Sequence, residues 1–372
     1  MGDNAGLPAF PPLMPTATAC SAPSAAGHVP LTLVTRGNTV ECVHTGSVAV
    51  VDVDGRILFA AGDPESLTFT RSALKPLQAL PFVAAGGVER FGYSPPQVAL
   101  LCASHAGEPR HVDAVAGMLA SAGNTAADLQ CGTHAPAYFQ ARGEVPPPPP
   151  YSVLAHNCSG KHSGMLAHCT ACGYTKHDYL AFDHPLQQAI RAAVAHATEV
   201  PADALVAGID GCSAPNYAVP LGNLALAFAR LAAGADDPVY GKAPGRLATA
   251  MTAHPEMVSG ENGSDRALMR AGHGDWVTKI GAEGVQAIGV RSRGWGIAVK
   301  VADGNVRGLH PATVATLDQL GLLDADARAA LAPWGRPQLI NYRGIITGEA
   351  RPAIVLDKTS RRLSRRRAVS AE

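Results

Sequence analysis

The stretch LTFTRSALKPLQAL, Leu67 to Leu80, places a serine three residues ahead of a lysine and a proline directly after that lysine. Proline has no N–H and is tolerated only in a helix's first turn. Pro76 therefore marks a helix start, with Ser72 and Lys75 on one face of it because residues three apart are neighbours. Orphan N–H groups and the positive end of the helix dipole favour negative charge there. A serine alkoxide is helped at such a place, and an adjacent ammonium is pushed toward its neutral form. An ordinary lysine, titrating at about 10.4, accepts a proton at neutral pH only if burial or a second cation lowers that value. Alone, Ser-x-x-Lys is a weak signal, since a helix end without chemistry produces it as well.

Working outward, the chain changes character on either side of this helix start. Upstream, GSVAVVDVDGRILFAAG (Gly46 to Gly62) gives two β-rich runs around Asp54-Gly55, a hairpin signal. Downstream, to about Arg270, PPQVALLCASH, HVDAVAGMLASAG, HPLQQAIRAAVAHATEV and LGNLALAFARLAAG carry apolar residues at helical spacing. Strand signals return in DWVTKIGAEG, VQAIGVRS and WGIAVKVADGNVR, and HPATVATLDQLGLL closes with a helix. A lone hairpin is marginal in water. The early and late strands are therefore expected to join in one antiparallel sheet, with a helical lobe inserted between them. The fold class is α+β, and a small-molecule cleft belongs between sheet and lobe.

Composition bounds the rest. The 372 residues carry 30 Lys+Arg and 30 Asp+Glu, so no global charge argues for nucleic acid or membrane partners. Apolar residues make up 47% and charged residues 16%, which suits a large buried core. No apolar run approaches the roughly 20 residues of a membrane-spanning helix. Residues 1–29, rich in Pro, Ala, Gly and Ser, read as a flexible extension without the pattern of a secretory signal. Residues 30–357 form the expected catalytic domain, interrupted by an exposed Pro146–Pro150 loop, and residues 358–372 a basic tail. The eight cysteines are expected to be thiols in a reducing cytoplasm.

Further groups join the first pair. LLCASHAGEPRH places Ser104 and His105 just past an apolar helix, and WVTKIGAEG puts Lys279 on a late strand followed by Gly281, which leaves room beside the backbone. Two serines and a lysine so distributed resemble the layout of penicillin-binding proteins and serine β-lactamases, although Ser-Asp-Asn is absent. HNCSGKHSGMLAHCTACG crowds Cys158, Lys161 and His162 at one helix end, and GIDGCSAPN adds Asp210 and Cys212 from a turn. Two thiolates and a nitrogen suit zinc, although ordinary buried thiols look the same in sequence. Cys169-x-x-Cys172 with His168 lacks a second ligand pair and reads as helix packing.

In order along the chain, TRSALKP, LLCASHAGEPRH, NCSGKHSGML, DGCSAPN, HPEMVSGE and KIGAEGVQAIGV resemble the rhizobial-type (class 3) L-asparaginases, the asparaginase II family. The similarity spans about Thr35 to Arg351 and implies a serine β-lactamase and glutaminase-like fold. It also implies two Ser–Lys tandems, Ser72 with Lys75 and Ser104 with Lys279, with Ser72 as nucleophile and Lys75 as its base. Zinc would be held by Cys158, Lys161 and Cys212 beside the pocket, aiding substrate binding. His162 and Asp210 match residues near the metal, and Arg71, His105 and Glu108 match groups lining the pocket. The resemblance implies L-asparagine as substrate and a homodimer. Two alternatives remain from the residues: another serine amidohydrolase of this fold (glutaminase, β-lactamase or esterase), and a non-catalytic zinc-binding protein.

Overall fold

The computed structural model describes residues 27–364. Most of the expected extension 1–29, including Cys20, and the end of the basic tail lie outside the described residues.

Strand β1 (Val29–Arg36) turns into the long β2 (Thr39–Asp52), and the Asp54-Gly55 turn leads into β3 (Ile57–Ala61), forming the expected hairpin. Three short strands follow, β4 (Leu67–Phe69), β5 (Val206–Ile209) and β6 (Pro215–Pro220), which pair among themselves in the order β4-β6-β5. The late strands are β7 (Trp276–Gly281), β8 (Val285–Val290), β9 (Trp295–Val301), β10 (Gln338–Ile340), β11 (Ile346–Pro352) and β12 (Asp357–Lys358). They join the early ones in a sheet ordered β10-β11-β1-β2-β9-β8-β7, with β3 and β12 branching from β2. Every pairing is antiparallel. The sheet is thus built from both ends of the chain, as an α+β fold requires.

Between them lie α1 (Lys75–Ala84), α2 (Gly87–Arg90), α3 (Pro95–Leu100), α4 (Pro109–Ser121), α5 (Ala137–Ala141) and α6 (Ser159–Cys172). The lobe continues with α7 (Pro185–Thr198), α8 (Leu221–Ala233), α9 (Ala243–Ala253), α10 (Pro255–Ser259) and α11 (Ser264–Ala271). Proline occupies the first turn of α1, α3, α4 and α7, where its missing N–H costs nothing. After the sheet, α12 (Val306–Gln319) and α13 (Ala325–Gly335) cover its other face.

The sheet is buried on both sides, which explains its continuous apolar runs. In β2, Ala49 and Val51 face the larger core with Leu224 and Phe228 of α8, while Val48 and Val50 face a second core with Leu309 and Ala312 of α12. Helix α8 lies so close to β8 and β9 that a Cβ at Gly289 would meet the Phe228 carbonyl oxygen at 2.2 Å. That close approach fixes the sheet against the lobe, and β7 packs against the turn that leads into α1.

One feature differs from the sequence reading. The region read as wholly helical contains β5 and β6, because VAGI and the proline-bounded PNYAVP are too short to stand out between helices. The described part of the basic tail is ordered along β3: Lys358 pairs with Phe59, and the N–H of Ile57 donates to the Arg361 carbonyl. Pro146–Pro150 forms neither helix nor strand, as expected of a loop.

Candidate active site

Strand β4 ends at Phe69, and the chain enters a tight 3₁₀ turn, Arg71–Leu74, before α1. Arg71 adopts φ 48°, a left-handed conformation that side chains other than glycine rarely take. Such strain persists only where neighbours impose it. Here Asn216, buried on β6, imposes it from both sides: its Oδ1 accepts from the Arg71 N–H at 3.0 Å, and its Nδ2 donates to the Arg71 carbonyl at 3.0 Å. Thr70 adds a hydroxyl bond to the Tyr217 carbonyl at 2.9 Å. Gly281 on β7 leaves the necessary room, since a Cβ there would lie 2.7 Å from the Thr70 carbonyl oxygen. The turn presents Ser72 half-buried, its hydroxyl free of hydrogen bonds among the described residues.

One residue onward in α1, Lys75 is 1% exposed. Its amine donates to the Ala103 carbonyl at 2.5 Å and to Ser104 Oγ at 2.9 Å. The lysine of the first expected tandem is therefore bonded to the serine of the second. Ser104 is held in turn by its N–H to the Val258 carbonyl of α10 at 2.9 Å.

Lys279, on β7, is fully buried. Its amine meets Asp265 Oδ2 at 3.3 Å and donates to the Ile280 carbonyl at 2.8 Å; it makes no hydrogen bond to Ser104 among the described residues. Burial, with the nearby charge of Lys75, lowers it to about 8 against the opposing pull of Asp265. Sequence reading missed both Asp265 and Asn216. SGENGSD and DGCSAPN contain them, but a lone Asp or Asn beside a glycine turn looks like a turn residue.

The other expected pocket residues are placed as follows. Arg71 Nε donates to Asp210 Oδ1 at 2.8 Å. Burial opposes the charge of Asp210, yet the Gly211 N–H and the nearby Lys161 and Arg71 lower its pKa overall. Burial keeps His105 neutral. Its Nδ1 accepts from the Gly107 N–H at 3.1 Å, so Nε2 carries the proton given to Ser159 Oγ at 2.9 Å. Glu108 caps α4 and accepts from the Glu261 N–H at 2.8 Å. His105 and Glu108 thus brace the Ser104 loop against α6 and the loop after α10.

The expected sulfur and amine groups lie as follows. Lys161 Nζ lies 3.0 Å from Cys212 Sγ. A bond from Cys212, with the charges of Lys75 and Lys161, holds the Cys158 thiol well below its ordinary value despite burial. Burial opposes charge on Lys161, but the neighbouring Cys212 and Cys158 sulfurs and Asp210 raise its pKa overall. His162 is neutral through burial, near a pKa of about 4, with Nδ1 2.7 Å from the Tyr179 hydroxyl and Nε2 buried without a partner. Two thiolates and an amine form a donor set that fits zinc. Among the described residues no three His, Cys, Asp or Glu side chains are grouped so that they could hold a metal ion. Cys169 and Cys172 lie along α6, with no second thiol pair facing them.

Comparison with known proteins adds the following. A family model, L-asparaginase II, matches residues 32–352. No curated protein matches significantly. Among solved structures, Mglu in its glutamate form is 18% identical, over 76% of this chain and 62% of its own, with a TM-score of 0.33. A candidate β-lactamase from Bacteroides dorei DSM 17855 is 13% identical, over 74% of this chain and 93% of its own, with a TM-score of 0.39. The chain therefore spans less than two thirds of Mglu. At such TM-scores neither likeness carries an argument.

Proposed function

The chain belongs to the L-asparaginase II family, an amidohydrolase family, and on that premise we propose that it hydrolyses L-asparagine to L-aspartate and ammonia through an acyl-enzyme on Ser72. The observation that carries the reading is the Lys75 amine, buried one turn from Ser72 and bonded to Ser104 at 2.9 Å. Ser72 Oγ attacks the side-chain carboxamide carbon while the Lys75 amine takes its proton. The C–N bond breaks, and the departing nitrogen gains a proton through Ser104, with Lys279 behind it. Water then attacks the ester carbon and gives a proton to Lys75; the C–O bond to Ser72 breaks, Lys75 returns that proton to Ser72 Oγ, and aspartate leaves. Dividing one hard step into two easier ones is the gain of covalent catalysis.

Arg71, tied to Asp210, is suited to the substrate's carboxylate, and its bond to Asp210 fixes it at the mouth of the site. His162 supports the floor near Cys212. Zinc would be held by Cys158, Lys161 and Cys212, and would supply positive charge that favours anionic parts of the substrate. The family likeness also supports a homodimer; among the described residues no helix is long and apolar enough to cross a membrane.

The test is ammonia release over a panel of asparagine, glutamine and a chromogenic β-lactam. Asparagine turnover that is lost in Ser72→Ala supports the proposal. Hydrolysis of glutamine or the β-lactam alone moves the chain to another amidohydrolase, and zinc retention without any turnover makes it a binding protein.

A further inference from the structure

Asp265 lies in the first turn of α11 and is fully buried. Four donors surround its carboxylate. Oδ1 accepts from Thr278 Oγ1 at 3.0 Å and Gln286 Nε2 at 3.1 Å; Oδ2 accepts from the Ile280 N–H at 2.9 Å and faces Lys279 Nζ at 3.3 Å. Thr278, Lys279 and Ile280 are consecutive on β7, and Gln286 stands on the neighbouring β8. The carboxylate is therefore locked by the strand that carries the lysine it meets.

A buried ion pair is weak evidence for stability, because well-packed apolar residues of similar volume serve as well or better. Its value lies in what it fixes. An ammonium has three N–H directions in tetrahedral array. On Lys279, Asp265 takes one and the Ile280 carbonyl, at 2.8 Å, takes another. One direction is left. The charge of Lys75, whose amine is bonded to Ser104, also acts on Lys279.

We propose that Asp265 is a positioning residue, which with the Ile280 carbonyl occupies two positions of the Lys279 amine and leaves it a single one for proton transfer. This rests on the reading of Lys279 as part of the proton relay. Without the carboxylate, the four-carbon side chain can rotate, and the amine reaches the relay only part of the time.

The experiment compares Asp265→Asn, Lys279→Met and the double variant in steady-state ammonia release from asparagine, with circular dichroism confirming the fold. Positioned acid–base groups contribute roughly 10²–10⁴-fold. Asp265→Asn is expected to lower kcat roughly 10²-fold with KM within about threefold, and the double variant to be no slower than Lys279→Met alone. Added formate is expected to restore part of kcat in Asp265→Ala, by refilling the carboxylate position. The proposal is overturned if Asp265→Asn keeps wild-type kcat, or if it slows the Lys279→Met enzyme by the same factor as the wild type. Where Asp265→Asn does not fold, Thr278→Val removes one support and is expected to lower kcat about fivefold; an unchanged kcat overturns the proposal. Full activity in Lys279→Met would instead remove the relay reading, a separate failure.

Discussion

The strained turn before the nucleophile makes a sharp prediction, tested by Asn216→Ala. The substitution deletes the amide that holds Arg71 N–H and C=O at 3.0 Å each, from a residue 2% exposed. Two such bonds in a partly buried place are together worth about 2–4 kcal/mol. The left-handed conformation they enforce costs about 1–3 kcal/mol for a residue other than glycine. The clamp and the strain are of similar size, so without the clamp the turn relaxes. Relaxation rotates the peptide that precedes Ser72 and moves its hydroxyl away from Lys75, which is fixed separately by Ala103 and Ser104. A misplacement on the order of 1 Å can cost about 10²-fold in rate. We therefore expect kcat for ammonia release to fall about 10²- to 10³-fold, while thermal unfolding stays cooperative and shifts by only a few degrees. Asn216→Asp keeps an acceptor for the Arg71 N–H but loses the donor, and should fall between. If Asn216→Ala retains kcat within about twofold of wild type, the clamp is not what places Ser72, and the argument from strain fails.

Three further outcomes follow from single observations. Gly281→Ala would set a Cβ 2.7 Å from the Thr70 carbonyl oxygen and 3.3 Å from Arg71 Cβ; the backbone must shift, costing about 1–3 kcal/mol by calorimetry and lowering kcat with it. Lys279 loses its proton near pH 8 when folded but near 10.5 when unfolded, so between those values the unfolded chain binds more protons and stability rises with pH, by something like 3 kcal/mol. Urea titrations at pH 7.5 and 10 should show that gain in wild type relative to Lys279→Met, and equal gains in both would refute it. Cys212→Ser should reduce bound zinc, measured by elemental analysis, and raise KM for asparagine more than it lowers kcat.

Much of this arrangement was legible in the sequence, for identifiable reasons. Pro76 fixes the helix start and Asp54-Gly55 the hairpin because each limits the backbone locally, without help from distant residues. Cys158, Lys161 and Cys212 stood out because clustered thiols beside an amine are chemically unusual. What escaped was set by tertiary packing. The bond between Lys75 and Ser104 joins residues 29 apart and depends on how α1 meets the loop after α3. Asp265 and Asn216 sit beside glycines and small polar residues, where turn chemistry hides them; only β7 and the Arg71 turn, brought alongside, give them their partners. The small sheet β4-β6-β5 escaped for the same reason. Its strands are 3–6 residues long, and β4 gains its pairing with β6 from residues about 150 positions away.

The charges of the site follow one rule that ties its chemistry to its fold. Three amines are buried here, and each meets a polar group carried by another element. Lys279 of β7 meets Asp265 of α11, Lys161 of α6 meets Cys212 from the turn after β5, and Lys75 of α1 meets Ser104 from the loop after α3. An unpaired buried charge is far costlier than a paired one, and removal of one partner typically costs about 3–5 kcal/mol. The three pairs therefore resist separation of the segments that carry the reacting groups. Deleting the partner of Lys279 by Asp265→Ala should thus be the most costly single change, because both members of that pair are fully buried. Replacing both members by apolar residues should recover most of that stability and none of the activity. Stability that stays lost in the double replacement would mean that the pairs anchor these segments beyond balancing their charges.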